Sequence, residues 1–272
     1  MTLPPLAFIG GGNMATAMVQ GLRRAPSPPP ITVSEPRAEQ RALLRDLGVA
    51  VTADNRAAVA AARVVVLAIK PQIAAEVVPE LATAWTPAHC LISILAGTTT
   101  ARLAGWLPPG ARIVRAMPNT PLAIGLGMVG LCAGAHATPE DLAVAEELFA
   151  PCARVLRLAD EQQMDAVTAV SGSGPAYVFR TAEALVAAAE QLGLARCEAE
   201  LLVEQTLVGA VAYLRERGIA QAAQLRRAVT SPGGTTAAAL AVLEAADYSG
   251  LWCRALAAAA QRGRELAAAP SG

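Results

Sequence analysis

The first half of the chain alternates short unbroken apolar runs with amphipathic stretches, and the second half keeps only helical periodicity. Leu6–Ile9 predicts a strand, followed across a glycine loop by Met14, Met18 and Leu22 at helical spacing, in a helix ending near Arg24. Residues 25–30 are proline-rich and read as a stiff connector within a domain. Ile31–Ser34 predicts a second strand, Arg37–Leu47 an amphipathic helix and Val49–Val51 a short strand, with Asp54 and Asn55 capping a helix that ends near Ala62. Val64–Ile69 and Leu91–Leu95 are uncharged throughout, as in parallel strands buried on both faces, with a helix over Gln72–Thr83 between them. Arg112–Ala116 adds a strand. Gly127–Cys132 and Val155–Leu158 are expected at sheet edges around a helix over Pro139–Phe149 with Thr138 as N-cap.

From Gln162 onward the pattern is helix only. Residues 171–175 break one helix and start another; Leu185, Val186, Ala189 and Leu192 form a stripe that Gly193 ends. Cys197–Arg215 places Val203, Leu207, Val211 and Leu214 on one face, and a helix after Thr236 and another over Leu251–Ala268 complete the set. The reading is a doubly wound α/β domain over 1–160 and an all-α domain over 161–272. Those Ala-rich helices carry more apolar surface than a small bundle can bury, so self-association to at least a homodimer is expected.

Composition narrows the classes. A hydrophobic content of 54% with 16% charge is that of a globular protein, and a formal net charge of zero offers no basic face to nucleic acid. The uncharged stretch from Ala116 to Pro139 is interrupted by prolines and glycines, which suits strand and turn better than a membrane span. The N-terminus lacks the basic region of a secretory signal, so a soluble, cytoplasmic protein is expected. Five cysteines without metal-ligand spacing fit buried small hydrophobes in a reducing compartment. With only His89 and His136 present, both read as loop residues, a histidine-based metal site or triad is disfavoured and no metal is expected.

Three features carry candidate chemistry. Gly10-Gly11-Gly12-Asn13-Met14-Ala15, between strand and helix, is G-x-G-x-x-A in the context a Rossmann-like dinucleotide site requires. The second strand should end at the adenosine ribose, and there Glu35 suits the ribose hydroxyls of NAD whereas Ser34 and Arg37 suit the 2′-phosphate of NADP. Glu35 pointing away is a third possibility; the balance favours NADPH, with NADH still open. Lys70, the single lysine, ends a buried strand in the layer where such sheets bind ligands. Finally, Ser231-Pro232-Gly233-Gly234-Thr235-Thr236 opens a helix with two hydroxyls and two glycines. By itself it is a capped helix start that could hold an anion.

Together the segments 9–15, 68–71, 115–121, 171–177 and 230–236 resemble, in order and spacing, those of the pyrroline-5-carboxylate reductase family, over essentially the whole chain. The resemblance implies a Rossmann-like domain followed by a helical dimerisation domain, and NAD(P)H-dependent reduction of Δ1-pyrroline-5-carboxylate to L-proline. It implies that Gly10, Gly11, Gly12, Asn13 and Met14 hold the pyrophosphate, with Ser34 and Asn55 beside the adenosine ribose; Ile9 at the strand end and Arg37, read above as suited to a 2′-phosphate, complete the candidate cofactor residues there. It implies further that Ala68, Ile69, Lys70 and Pro71, with Leu95, Ala96 and Gly97, line the nicotinamide side. The substrate carboxylate is expected on Ser231, Gly233, Gly234 and Thr235, with Thr236 at the ring nitrogen, near an interface of a homodimer or an oligomer of dimers.

A β-hydroxyacid dehydrogenase shares the glycine loop, but such enzymes resemble one another in a lysine of the second domain, and this chain has none after Lys70. A reductase of another cyclic imine stays open. A non-catalytic NAD(P)-sensing protein has no basic helix pair in the sequence to support it.

Overall fold

The computed structural model describes residues 3–268, so Met1 and Thr2 of the N-terminal stretch read above lie outside the described residues. The strands are β1 (Leu6–Ile9), β2 (Ile31–Ser34), β3 (Ala50–Thr52), β4 (Val64–Leu67), β5 (Cys90–Ser93), β6 (Arg112–Pro118), β7 (Gly127–Ala133) and β8 (Ala153–Arg157). With them alternate α1 (Asn13–Arg23), α2 (Ala38–Asp46), α3 (Asn55–Ala60), α4 (Ala74–Leu81), α5 (Thr100–Ala104) and α6 (Pro139–Phe149). Helices follow alone: α7 (Met164–Val167), α8 (Gly174–Gln191), α9 (Arg196–Arg217), α10 (Ala222–Ala228), α11 (Thr235–Ala245) and α12 (Tyr248–Ala268).

All eight strands form one sheet in the order β3-β2-β1-β4-β5-β6-β7-β8. β1 sits between β2 and β4, so the chain reverses its direction of travel across the sheet there, and a crevice opens beyond the carboxyl end of β1. Along β1 the side chains alternate. Leu6 and Phe8 join Met18, Leu22 and Phe149 in one core, while Ala7 and Ile9 join Val59, Val78 and Leu81 in the other.

β7 is antiparallel to β6 and parallel to β8, so β8, not β7, forms this edge of the sheet. That corrects the placement of Gly127–Cys132 at an edge. The connection from β6 holds only a short 3-10 turn over Thr120–Ile124, too little chain for a parallel crossover, so β7 must fold back. Helix α6 then carries the chain across to lay β8 outside it. Its N-cap Thr138 accepts from the Asp141 N–H at 3.2 Å, and Asp141 Oδ2 accepts from the Thr138 N–H at 2.9 Å. Residues 116–139 are thus mostly strand and turn, and no helix among the described residues is long and apolar enough to cross a membrane.

Helix α5 was not legible from periodicity, because five residues are too few to show a period. A half-buried carboxylate fixes it instead. Glu161 accepts from the Thr100 N–H at 2.9 Å, the Thr100 hydroxyl at 2.6 Å and Arg115 Nη1 at 3.0 Å, and the Arg115 side chain is only 4% exposed. Glu161→Gln removes the charge opposite a buried guanidinium and is expected to lower stability by about 1–3 kcal/mol. The check is an equilibrium denaturant midpoint that falls with its slope unchanged; an unmoved midpoint would refute the role given to Glu161.

By contacts the chain divides at Gly174/Pro175 and Ala257/Ala258: one unit takes the chain up to Gly174 and again from Ala258, the other Pro175–Ala257. The sequence reading divided it at 160/161. The end of α12 belongs to the first unit because Gly263 packs on Asp165, Leu266 lies against Gly97, and Ala267 O accepts from Arg102 Nη1 at 3.2 Å. Hydrophobic periodicity cannot reveal that a helix changes neighbours halfway along its length.

The second unit is thinly packed. Its buried apolar side chains are Val186, Ala199 and Val203, with Ala182, Ala189 and Leu207 half-buried against them. Of the stripes read from sequence, Leu185, Leu192 and Val211 are exposed. The cysteines divide the same way. Cys90, Cys132 and Cys152 are buried, and burial raises all three thiols, Cys152 to about 11. Cys197 and Cys253 in the helical unit are exposed, which corrects the reading of every cysteine as buried.

Candidate functional site

The glycine loop is built by its neighbours. Gly10 has φ +95°, and a Cβ there would stand 2.6 Å from Ala68 O, so only glycine lets β1 turn this closely over the end of β4. Gly12 is the N-cap of α1 with no side-chain cap, and a Cβ on it would meet nothing within 4 Å. Open space therefore lies before uncapped first-turn N–H groups. A diphosphate fits that cradle, and a side chain at Gly12 would fill it.

The other sequence-predicted cofactor residues of the first unit come to the same edge of the sheet, at the carboxyl ends of β1, β2, β4 and β5. Gly10 N–H donates to Ser34 O at 2.8 Å and Ala68 N–H to Ile9 O at 2.8 Å, which locks the three strand ends together. Asn13 is exposed and Met14 half-buried at the start of α1; Ala68 and Ile69 are half-buried, and Lys70 and Pro71 exposed. Leu95 and Gly97 are buried with Ala96 between them half-buried. Ser34 is buried, and its hydroxyl donates to Asn55 Oδ1 at 2.7 Å, while Asn55 Nδ2 donates to Glu80 at 3.2 Å.

Glu35 turns inward. It is 4% exposed; Oε2 accepts from the Gly11 N–H at 3.0 Å, and Oε1 from the Arg37 N–H at 3.1 Å and Arg37 Nε at 2.8 Å. Burial works to raise this carboxyl, but the hydrogen bonds from Arg37 and Gly11 and the Arg37 charge outweigh it and hold the group below the ordinary carboxylate value. Because the folded-state carboxyl ionises below its unfolded counterpart, the tether is complete at neutral pH and weakens as pH falls through that lowered value.

Sequence reasoning missed two further supports of the loop. Gln40 Nε2 donates to Gly11 O at 2.6 Å, and Arg41 Nη1 donates to Glu35 O at 2.7 Å. Both lie on the first turn of α2, where their spacing shows a helix face and nothing about its target. Asn119 and Ser171, from two separate motifs, also meet: Asn119 Nδ2 donates to Ser171 O at 3.2 Å, at a π-helical turn over Thr168–Gly172.

In the helical unit, the Ser231–Thr236 turn opens α11. Gly233 adopts φ +69°, Gly234 N–H donates to Ser231 O at 3.1 Å, and Gly234 is the N-cap without a side-chain cap. The hydroxyls of Ser231, Thr235 and Thr236 have no hydrogen-bond partner among the described residues. An uncapped helix start with three uncommitted hydroxyls can receive a small carboxylate. Among the described residues no cluster of His, Cys, Asp or Glu could hold a metal ion.

A parallel-dominated sheet with a glycine loop at its reversal point, followed by helices, defines the class: a nicotinamide-dinucleotide oxidoreductase of the Rossmann type. A family model described as pyrroline-5-carboxylate reductase dimerisation matches residues 161–266, and one described as NADP oxidoreductase, coenzyme F420-dependent, matches 5–97. A pyrroline-5-carboxylate reductase of Pseudomonas aeruginosa is 44% identical over 98% of both chains, and one of Haemophilus influenzae 41% over 96% of this chain and 97% of its own. Among solved structures, a pyrroline-5-carboxylate reductase from Coxiella burnetii superposes with TM-score 0.90 at 40% identity, covering 98% of this chain and 100% of that one. The chain belongs to the pyrroline-5-carboxylate reductase family. A Plasmodium falciparum pyrroline carboxylate reductase solved with NADP bound is more distant, at 27% identity over 97% of this chain and 98% of its own, with TM-score 0.83.

Proposed function

We propose that the protein reduces Δ1-pyrroline-5-carboxylate to L-proline with NAD(P)H, as a cytoplasmic homodimer or an oligomer of dimers. The observation that carries this reading is the uncapped start of α11, where a small carboxylate finds N–H groups and free hydroxyls with no competing protein ligand. Family membership supports the choice of carboxylate.

When bound, the reduced nicotinamide supplies a hydride. The chain's own residues orient and hold. Gly12 leaves room for the diphosphate before the first turn of α1, and the strand ends at Ala68–Pro71 and Leu95–Gly97 take the nicotinamide side. Ser231, Gly233, Gly234 and Thr235 take the carboxylate, and the Thr236 hydroxyl meets the ring nitrogen. That nitrogen takes its proton from water, the imine carbon accepts the hydride, and the ring becomes the secondary amine of proline. The task is positioning and charge, for which no strong acid is required.

Oxidation of NADPH or NADH on addition of pyrroline-5-carboxylate tests the reading; no substrate-dependent loss of reduced nicotinamide with either cofactor would overturn it. Thr236→Ala is expected to lower kcat/KM by about 10- to 100-fold, the worth of one hydrogen bond to a charged group, with cofactor affinity unchanged. Wild-type kinetics in that variant would remove Thr236 from the site.

A further inference from the structure

The acid at the end of β2 is the residue that, in Rossmann sites for the unphosphorylated cofactor, takes the ribose hydroxyls. Here both oxygens of the Glu35 carboxylate are engaged by neighbouring groups: the Gly11 N–H donates to Oε2, and the Arg37 N–H and Nε donate to Oε1. The carboxylate is buried beneath the loop rather than presented to the crevice. Its partner differs. The Arg37 side chain is 66% exposed and engages Glu35 through Nε, which leaves its two terminal nitrogens without a hydrogen-bond partner among the described residues. We propose that Glu35 is a positioning residue that commits this site to the 2′-phosphorylated dinucleotide, by withdrawing its own charge from the ribose and holding the Arg37 guanidinium there to receive the phosphate. The inference rests on the reading of the glycine loop as a dinucleotide site.

The same carboxylate joins two functions. Its bond to Gly11 uses that N–H within the protein, so the pyrophosphate is left to the N–H groups further into α1. Arg41, donating to Glu35 O and to Pro36 O at 2.6 Å, fixes the backbone on which Arg37 is carried. A guanidinium clamped at Nε keeps its fork free for bidentate contact with a phosphate, which a freely rotating side chain offers at a greater loss of rotamer freedom.

The test titrates the full-length protein with adenosine 2′,5′-bisphosphate and with 5′-AMP by calorimetry, and compares the two affinities. Neither probe involves the imine, so this result stands or falls separately from the reductase assay. Arg37→Ala is expected to weaken the bisphosphate by about 10- to 100-fold and 5′-AMP by no more than about twofold. Glu35→Gln, and Glu35→Asp should the first fold poorly, are expected to lower the preference for the bisphosphate by about fivefold or more. In an Arg37→Ala background Glu35→Gln should leave the preference where Arg37→Ala put it, because Glu35 acts through Arg37. A preference that rises on Glu35→Gln, or does not move, overturns the proposal: the first outcome makes Glu35 a ribose ligand, the second a purely structural group.

Discussion

Gly12→Val is expected to weaken NADPH binding on the order of a hundredfold while leaving the fold intact. The residue has φ −70° and ψ −174°, a conformation any L-amino acid adopts, and its Cβ would meet no protein atom within 4 Å. Unfolding stability without cofactor should therefore change by less than about 1 kcal/mol, the difference between a glycine and a valine N-cap. The isopropyl group instead occupies the space before the uncapped turn of α1, where the diphosphate must come. Gly10→Ala is the contrasting variant. With φ +95° and Ala68 O 2.6 Å from the new Cβ, it strains the strand end itself and should cost about 2–4 kcal/mol of stability. Two glycines of one loop are thus told apart by which property moves. Calorimetric binding and a melting curve for each variant suffice, and normal NADPH affinity in Gly12→Val would remove the loop as the cofactor site.

Val208→Arg is expected to dissociate the protein and to unfold its helical unit at lower temperature. Leu201 and Val208 lie two turns apart on α9, 68% and 60% exposed, on the side of the helix opposite buried Val203. With so few buried apolar side chains, the unit lacks the core that a helical domain of its size needs to stand alone. In the proposed dimer a second copy covering that face would supply the missing burial, and an arginine placed there would be desolvated without a partner. For the wild type the same view requires a melting temperature that falls by about 1–2 °C for each tenfold dilution. Light scattering after size exclusion checks the variant. A wild type that is monomeric, with a melting temperature independent of concentration, would contradict the proposed dimer.

How much was legible in advance depended on how local each signal is. The strand-loop-helix around Gly10–Ala15 could be read because apolar run, glycines and helical spacing all lie within a few residues of one another. Thr138 could be read as a cap because its partner Asp141 is three residues away. Glu35 could not. Whether an acid at a strand end faces a ribose or folds back depends on whether a donor stands within reach, and that donor, the Gly11 N–H, is 24 positions distant. Gln40 and Arg41 were hidden for the same reason.

Local order along the chain thus determined the class of the first domain, the position of the glycine loop and the helix that the Ser231–Thr236 turn opens, because those depend on backbone propensity and apolar period within a single element. Only the tertiary structure decided that β7 lies inside the sheet, that α12 returns its last turns to the first unit, and that Glu35 turns inward onto the Gly11 N–H and Arg37. Each of those turns on which distant groups come within hydrogen-bonding or packing distance, and a residue's neighbours in sequence carry no record of that.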